Sequence, residues 1–441
     1  MANDVAGSVS RIEGPSANRW VQLVLGIICM ASVANLQYGW TLFVNPIADA
    51  HGWSKASIQV AFTLFVLLET WLVPFEGYIV DRIGPRWMVM FGGICTFLAW
   101  GINSQASALW MLWVGGAIGG IAGGSVYGTC VANALKWFPD KRGLCGGLTA
   151  AGFGAGAAIT IAPIRAMIHS RGYAHTFLVF AIIYSVIIVV VSLFLKRPRP
   201  GAADMPPMHK IRVAQGSADD VPWHEALRSS LFWIMYLMFF LVAAGGLMSA
   251  AQLAPIARER GIASTVVTIF SITTPAIVAA LTLGSIANGA GRPLNGWFSD
   301  LIGRANMMGI SFGILAVCIA AFGFFGTTPA MFIVINALVF LFWGDIFSLF
   351  AATVGDAFGR KYATVNYGLM YTAKGTASIL VPFGNVLTHA TGSWHAVYIV
   401  GCIMAAVACL LAFFVLKPEI KRRLTMPADQ LVVVPDQTAA A

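Results

Sequence analysis

The chain has 441 residues, of which 58% are apolar and only 10% charged, with a formal net charge of +9. Soluble domains carry about a quarter charged residues, so this composition excludes an ordinary water-soluble enzyme or binding module and makes the lipid bilayer the expected surroundings. The 46 glycines suit helices in lipid, where close backbone approach takes the place of burying oil from water. Cys29, Cys95, Cys130, Cys145, Cys318, Cys402 and Cys409 nearly all lie in apolar runs, with no CxxC pair and no histidine grouping. They read as small core residues, and neither a metal nor a cofactor is expected.

Residues 1–19 are polar and contain acids, without the basic, apolar and cleavage regions of a signal peptide, so the first helix is expected to stay in the product. Runs of about 20 apolar residues then predict helices near 20–48, 56–80, 88–103, 108–135, 143–168, 174–195, 231–257, 265–299, 306–326, 329–357, 365–388 and 394–416. The longest polar interruption, 196–230, holds Pro198, Pro200, Pro206 and Pro207 and reads as a flexible linker. The expected fold is an all-α membrane protein, twelve transmembrane helices in two pseudo-symmetric six-helix bundles. An N-terminal segment (1–19), a first bundle (20–195), the linker, a second bundle (231–416) and a tail (417–441) make up the chain.

Lysine and arginine sort strongly between the connections. If the N-terminus is cytoplasmic, twenty fall on that side, among them Arg82, Arg86, Lys141, Arg142, Arg304 and Arg360, against Lys55, Arg171, Arg258 and Arg260 opposite. That asymmetry predicts both termini inside, in the inner membrane of a bacterium. It also accounts for the basic excess, so no nucleic-acid partner is expected.

A repeat supports the division. Gly77-Tyr-Ile-Val-Asp81-Arg82-Ile-Gly84-Pro85-Arg86 closes the second helix, and Gly296-Trp-Phe-Ser-Asp300-Leu-Ile-Gly303-Arg304 closes the eighth, 219 residues later. Gly147-Leu-Thr-Ala-Ala-Gly-Phe153-Gly in the fifth helix is echoed by Gly368-Leu-Met-Tyr-Thr-Ala-Lys374-Gly in the eleventh. Two parallel repeats imply a pseudo-twofold axis along the membrane normal and a substrate site near mid-depth between the halves. The Gly-x-x-x-Asp-Arg-x-Gly-x-Arg loop resembles the signature of the major facilitator superfamily. Asp81, Arg82, Asp300 and Arg304 are then expected to cap helix ends and latch one gating state.

Three cations fall inside spans, where charge is expensive and usually serves function: Arg165, Arg292 and Lys374. Arg292 lies eight residues before Asp300 and Lys374 eight after Asn366, so both sit about 12 Å from the cytoplasmic ends of their helices. Equal depth suggests a two-point anion site, an arginine fork with a lysine point charge. The alternative is that each cation pairs with an intramembrane acid for assembly. Arg165 lies near the outer end of its helix, where its side chain can snorkel, and is read as structural.

The segments Asn288-Gly-Ala-Gly-Arg292-Pro-Leu-Asn-Gly-Trp-Phe-Ser-Asp300, Tyr367-Gly-Leu-Met-Tyr-Thr-Ala-Lys374-Gly-Thr-Ala-Ser, Trp137-Phe-Pro-Asp-Lys-Arg-Gly143 and Asn35-Leu-Gln-Tyr38-Gly-Trp-Thr-Leu-Phe-Val-Asn45-Pro46 resemble the oxalate:formate antiporter family. The resemblance runs from about Trp20 to Leu416. It implies that Arg292 and Lys374 hold the carboxylates of oxalate, and that Gln37, Tyr38, Gln59, Tyr127 and Trp343 line the cavity. Phe153, Phe347 and Tyr371 stand where tyrosine, tyrosine and tryptophan are expected, so two hydroxyls are missing. Glu69, Glu76 and Asp345 are intramembrane acids where uncharged residues are expected. Glu69, Val73 and Glu76 are spaced i, i+4, i+7, and Val73 is the repeat-mate of Arg292, so both glutamates are expected to face the cavity as proton or selectivity groups. Glu69 counts as about 18 Å deep, which predicts a separation of about one turn from the cations. Asp345 is some 200° round its helix from Trp343 and is read as an interhelical partner.

The expected function is secondary active exchange of small organic anions such as oxalate and formate by alternating access, without enzymatic chemistry and with a single chain sufficing. Proton-coupled symport of a monocarboxylate is the main alternative, because a cavity glutamate can carry a proton. A membrane-embedded sensor or enzyme is the third reading, weakened by short soluble appendages and by the lack of a nucleophile with a base.

Overall fold

The computed structural model describes residues 18–138, 142–198, 221–269, 271–359 and 362–425. Most of the N-terminal segment and of the linker, Pro139-Asp140-Lys141 and the end of the tail lie outside these ranges. Within them the predicted spans are helical, apart from the start of span 8. Spans 3, 4, 7, 8 and 9 are single helices, Pro85–Ser104, Leu109–Trp137, Ser230–Glu259, Ala276–Ile302 and Arg304–Phe325. Span 5 starts with Arg142–Gly156, passes through a 3-10 turn, and runs with span 6 as Ile161–Ser192, the two being separated by a kink at Gly172 (φ 82°, ψ 166°).

The other spans are broken, and proline accounts for several of the breaks. Span 2 divides into Lys55–Trp71 and Val73–Ile83 around Leu72, because Pro74 has no N–H to give the preceding turn. Span 11 divides into Ala363–Ser378 and Val381–Thr391 before Pro382 in the same way. Span 1 breaks twice between Arg19–Val33, Asn35–Tyr38 and Thr41–His51, and span 10 breaks at Asp345 between Pro329–Gly344 and Ile346–Phe358. Span 12 runs as His395–Leu411, then a π-helical stretch to Leu416. Among the described residues eight helical stretches are apolar and long enough to cross a membrane, spans 5 and 6 counting together. The ones missing are spans 2, 8 and 11, which carry Glu69, Arg292 and Lys374.

One predicted boundary is wrong. Residues 266–275 form an antiparallel hairpin, Val266–Ile269 with Ile272–Pro275, rather than the first turns of span 8. Val-Val-Thr-Ile and Ile-Thr-Thr are β-branched runs that favour pleated backbone, and Pro275 gives the helix its start at Ala276. Four helical residues, Trp223–Ala226, also interrupt the stretch read as linker.

The halves meet along spans 5 and 8 and again along spans 2 and 11, with spans 1 and 7 also touching. Span 5 is the repeat-mate of 11 and span 8 of 2, so a twofold axis carries one interface onto the other. At the 5–8 crossing a Cβ on Gly154 would lie 3.0 Å from Gly289 backbone, and Ser285 donates to the Gly154 carbonyl at 2.7 Å. At the 2–11 crossing Thr63 donates to the Ser378 carbonyl at 2.8 Å and Ser378 to that of Thr63 at 3.2 Å. The motif glycines Gly84 and Gly303 end spans 2 and 8 with φ of 94° and 91°, backbone that a side chain strains. The repeat is therefore one of conformation as well as sequence.

Candidate functional site

The twofold axis brings the charged faces of spans 2, 8 and 11 together at mid-depth. Lys374 spends its ammonium on three acceptors: Glu69 Oε2 at 2.7 Å, Gln37 Oε1 at 2.9 Å and the Tyr371 hydroxyl at 3.2 Å. Lys374 is 1% exposed and Glu69 is fully buried. Arg292, equally buried, donates through Nη1 to the Ala150 carbonyl at 2.8 Å and through Nη2 to Asn288 Oδ1 at 3.1 Å. Asn288 also accepts from the Tyr38 hydroxyl at 3.1 Å.

One ring joins the two cations. The Phe347 centroid lies 4.6 Å from the Arg292 guanidinium carbon and 5.4 Å from Lys374 Nζ, close enough for its face to attract both. Around it stands an aromatic box. Tyr127 stacks on Tyr371 at 5.6 Å and meets Phe153 edge-on at 5.4 Å, while Trp343 meets Phe347 edge-on at 5.9 Å. Trp343 fits only because span 7 has glycine opposite, since a Cβ on Gly246 would overlap the indole at about 2.1 Å. Every member of this group is buried, so the site is closed at both ends in this conformation.

Three donors in the group have no partner among the described residues: Gln37 Nε2, Arg292 Nε and Trp343 Nε1. A buried unpaired donor costs about 1–3 kcal/mol, so three of them beside two cations favour an acceptor-rich, anionic guest. One acceptor, Glu69 Oε1, is also unpaired.

Gln37, Tyr38, Tyr127, Phe153, Arg292, Trp343, Phe347, Tyr371 and Lys374 are thus brought together. Gln59 is not. It lies ten residues, about 15 Å of helix, from Glu69, where it accepts from Trp40 and donates to the Ala251 carbonyl at 2.8 Å, joining the two halves instead. Glu69 is in direct contact with Lys374, so the depth difference inferred by counting residues does not hold. The break at Leu72 displaces the frame of the count, and a lysine side chain bridges a helical turn. The same break puts Glu76 out of phase, and it turns to span 4, accepting from Ser125 at 3.0 Å and packing on Gly124. Of the two readings of the cations, pairing with an intramembrane acid describes Lys374, whereas Arg292 has no acid partner among the described residues.

Arg165 donates to the Ala263 carbonyl, and Asp345 accepts from Asn295 at 3.0 Å and from Ser311, as structural readings require. At the gate motif, Arg304 bonds Asp300 at 2.7 Å and Asp356 at 2.9 Å, all three within the second half. Arg82 is exposed, and the side chain of Asp81 lies outside the described residues. Sequence reasoning missed two features. Asn288 is one, four residues before Arg292 and so on the same face, a spacing that could have found it. At the end of the bundle away from the linker, Arg258 bonds Asp49 at 2.5 Å, and Glu259 meets Lys55 at 3.7 Å and accepts from Trp394. These contacts tie spans 1 and 2 to spans 7 and 12.

The model of the Major Facilitator Superfamily matches residues 25–382 and 261–435. The chain is 35% identical over 410 residues to the oxalate:formate antiporter of Oxalobacter formigenes, covering 91% of this chain and 93% of that one. It is 27% identical to an uncharacterised 38 kDa protein of Thermoproteus tenax, over 92% of this chain and 97% of the relative. An uncharacterised transporter of Escherichia coli, YhjX, shares 25% identity over 82% and 86%. With its twelve spans, its two parallel halves and these matches, the chain belongs to the Major Facilitator Superfamily.

Proposed function

We propose that the protein moves small carboxylates across the membrane by alternating access, exchanging one for another in the manner that the name of its Oxalobacter formigenes relative describes. The single observation that carries this reading is the buried pair of cations that share the Phe347 ring, with unpaired donors around them. Charge so placed is costly in lipid unless an anion completes it. Arg292 supplies the directional donors and Lys374 adds to the positive field. The aromatic box packs flat faces against a planar carboxylate. Gating by Asp81, Arg82, Asp300 and Arg304 at the linker end, with that end cytoplasmic, belongs to the same proposal, as do the division at 196–230, the bacterial inner membrane and action as a single chain.

Counterflow decides the matter. Proteoliposomes loaded with unlabelled formate or oxalate are expected to take up labelled anion many times faster than empty ones. Equal, negligible uptake with every loaded carboxylate tried would overturn the proposal. The contact between Glu69 and Lys374 favours the second reading, symport with a proton, because an acid on the substrate cation can exchange its ion pair for a proton. In that case empty vesicles would accumulate label when the outside is acidified, and a protonophore would abolish it.

A further inference from the structure

We propose that the substrate this site prefers is a monocarboxylate, held through its one carboxylate by Arg292, and that Glu69 occupies on Lys374 the place a second carboxylate would take. The inference rests on the small-carboxylate reading above and narrows its substrate class.

The argument is one of donors. An ammonium has three N–H groups, and those of Lys374 are all engaged, by Glu69, Gln37 and Tyr371. Arg292 has five and uses two groups on Ala150 and Asn288, with its Nε left unpaired. The free donors therefore belong to Arg292, to Trp343 and to Gln37 Nε2, the amide whose oxygen already accepts from Lys374, enough for one carboxylate. A second one, reaching for Lys374, would have to displace Glu69, whose other oxygen has no donor among the described residues to fall back on.

The walls agree. Beside Lys374 stand Phe153 and Phe347, ring centroids 5.7 and 5.4 Å from Nζ, which give a second carboxylate no hydrogen bond and suit a hydrogen or a short carbon chain. The charges agree as well. Arg292, Lys374 and an ionised Glu69 sum to +1, which a monoanion neutralises and a dianion overshoots. Glu76 does not enter this sum, since it is turned away onto Ser125.

The test is competition against labelled formate in proteoliposomes of the full chain, with unlabelled acetate, lactate and oxalate as competitors. For the wild type, acetate or lactate is expected to compete at least tenfold better than oxalate. Glu69→Gln keeps an acceptor for Lys374 and removes the charge, so the oxalate-to-formate preference should rise at least tenfold. Oxalate outcompeting the monocarboxylates in the wild type, or an unchanged ranking in a folded Glu69→Gln protein, would overturn the inference. Should that variant fail to fold, the wild-type ranking decides alone. Transport of oxalate with an unchanged ranking would leave the carboxylate reading standing, whereas no uptake of any carboxylate would remove both.

Discussion

If Glu69 and Lys374 are partners in the closed protein, their removal is strongly non-additive. Glu69→Leu leaves a buried ammonium with only Gln37 and Tyr371 as neutral acceptors, and Lys374→Met leaves a buried carboxylate with no donor among the described residues. Breaking a buried pair by deleting one partner costs about 3–5 kcal/mol, while replacing both by apolar side chains is often near neutral. Here the double replacement still strands the Gln37 amide oxygen, which adds about 1–3 kcal/mol. The two single losses should therefore total roughly 6–10 kcal/mol, against a few for the double variant. A coupling of at least about 3 kcal/mol follows, at the upper end of what contacting residues show. Equilibrium unfolding of the four proteins in mixed micelles, read by tryptophan fluorescence, measures it. A double variant as unstable as the sum of the singles would show that the pair does not form, and with it the argument that Lys374 lacks a free donor would fall.

Three further outcomes are expected. Asp49→Asn or Arg258→Gln removes a half-exposed ion pair between the halves, worth about 1 kcal/mol or less. Alkylation of a cysteine placed at Gln37 from the end away from the linker should therefore rise by no more than about fivefold, and no rise in either variant would mean that the pair does not hold that end shut. Asp345→Leu strands Asn295 and Ser311 and should cost about 1–3 kcal/mol of stability. The carboxylate ranking in competition assays should stay as in the wild type, and a reordered ranking would move Asp345 into the binding site. Gly246→Val forces the Trp343 indole out of the box, so transport should fall at least tenfold in protein that still purifies as a single species; normal uptake would show that the box is not needed.

The spans, the halves and the mid-depth cations were legible because lipid imposes length and apolarity on each helix, and because offsets of 219 and 221 residues give the two charged motifs their mates. What failed did so at particular breaks. Helical phase was carried from Glu69 through Val73 to Glu76, but Pro74 interrupts the helix at Leu72, so Glu76 points at Ser125 rather than into the site. The hairpin at 266–275 was hidden because an apolar, β-branched run scores as readily for a span as for strands. Gln59 could not be placed from resemblance alone, since a polar side chain on the correct face serves a gate as well as a substrate, and ten residues separate the two. The pairing of Arg258 with Asp49 joins residues 209 apart, with no spacing rule to suggest it.

The central claim is that Arg292 holds the carboxylate. Binding of labelled formate to purified protein, compared between wild type and Arg292→Gln, tests it most directly, with Arg292→Lys separating charge from geometry. A charged hydrogen bond of about 1.5–3 kcal/mol predicts a loss of about 10- to 100-fold for the glutamine variant, with partial recovery for lysine. Wild-type affinity in a correctly folded Arg292→Gln protein would contradict the account.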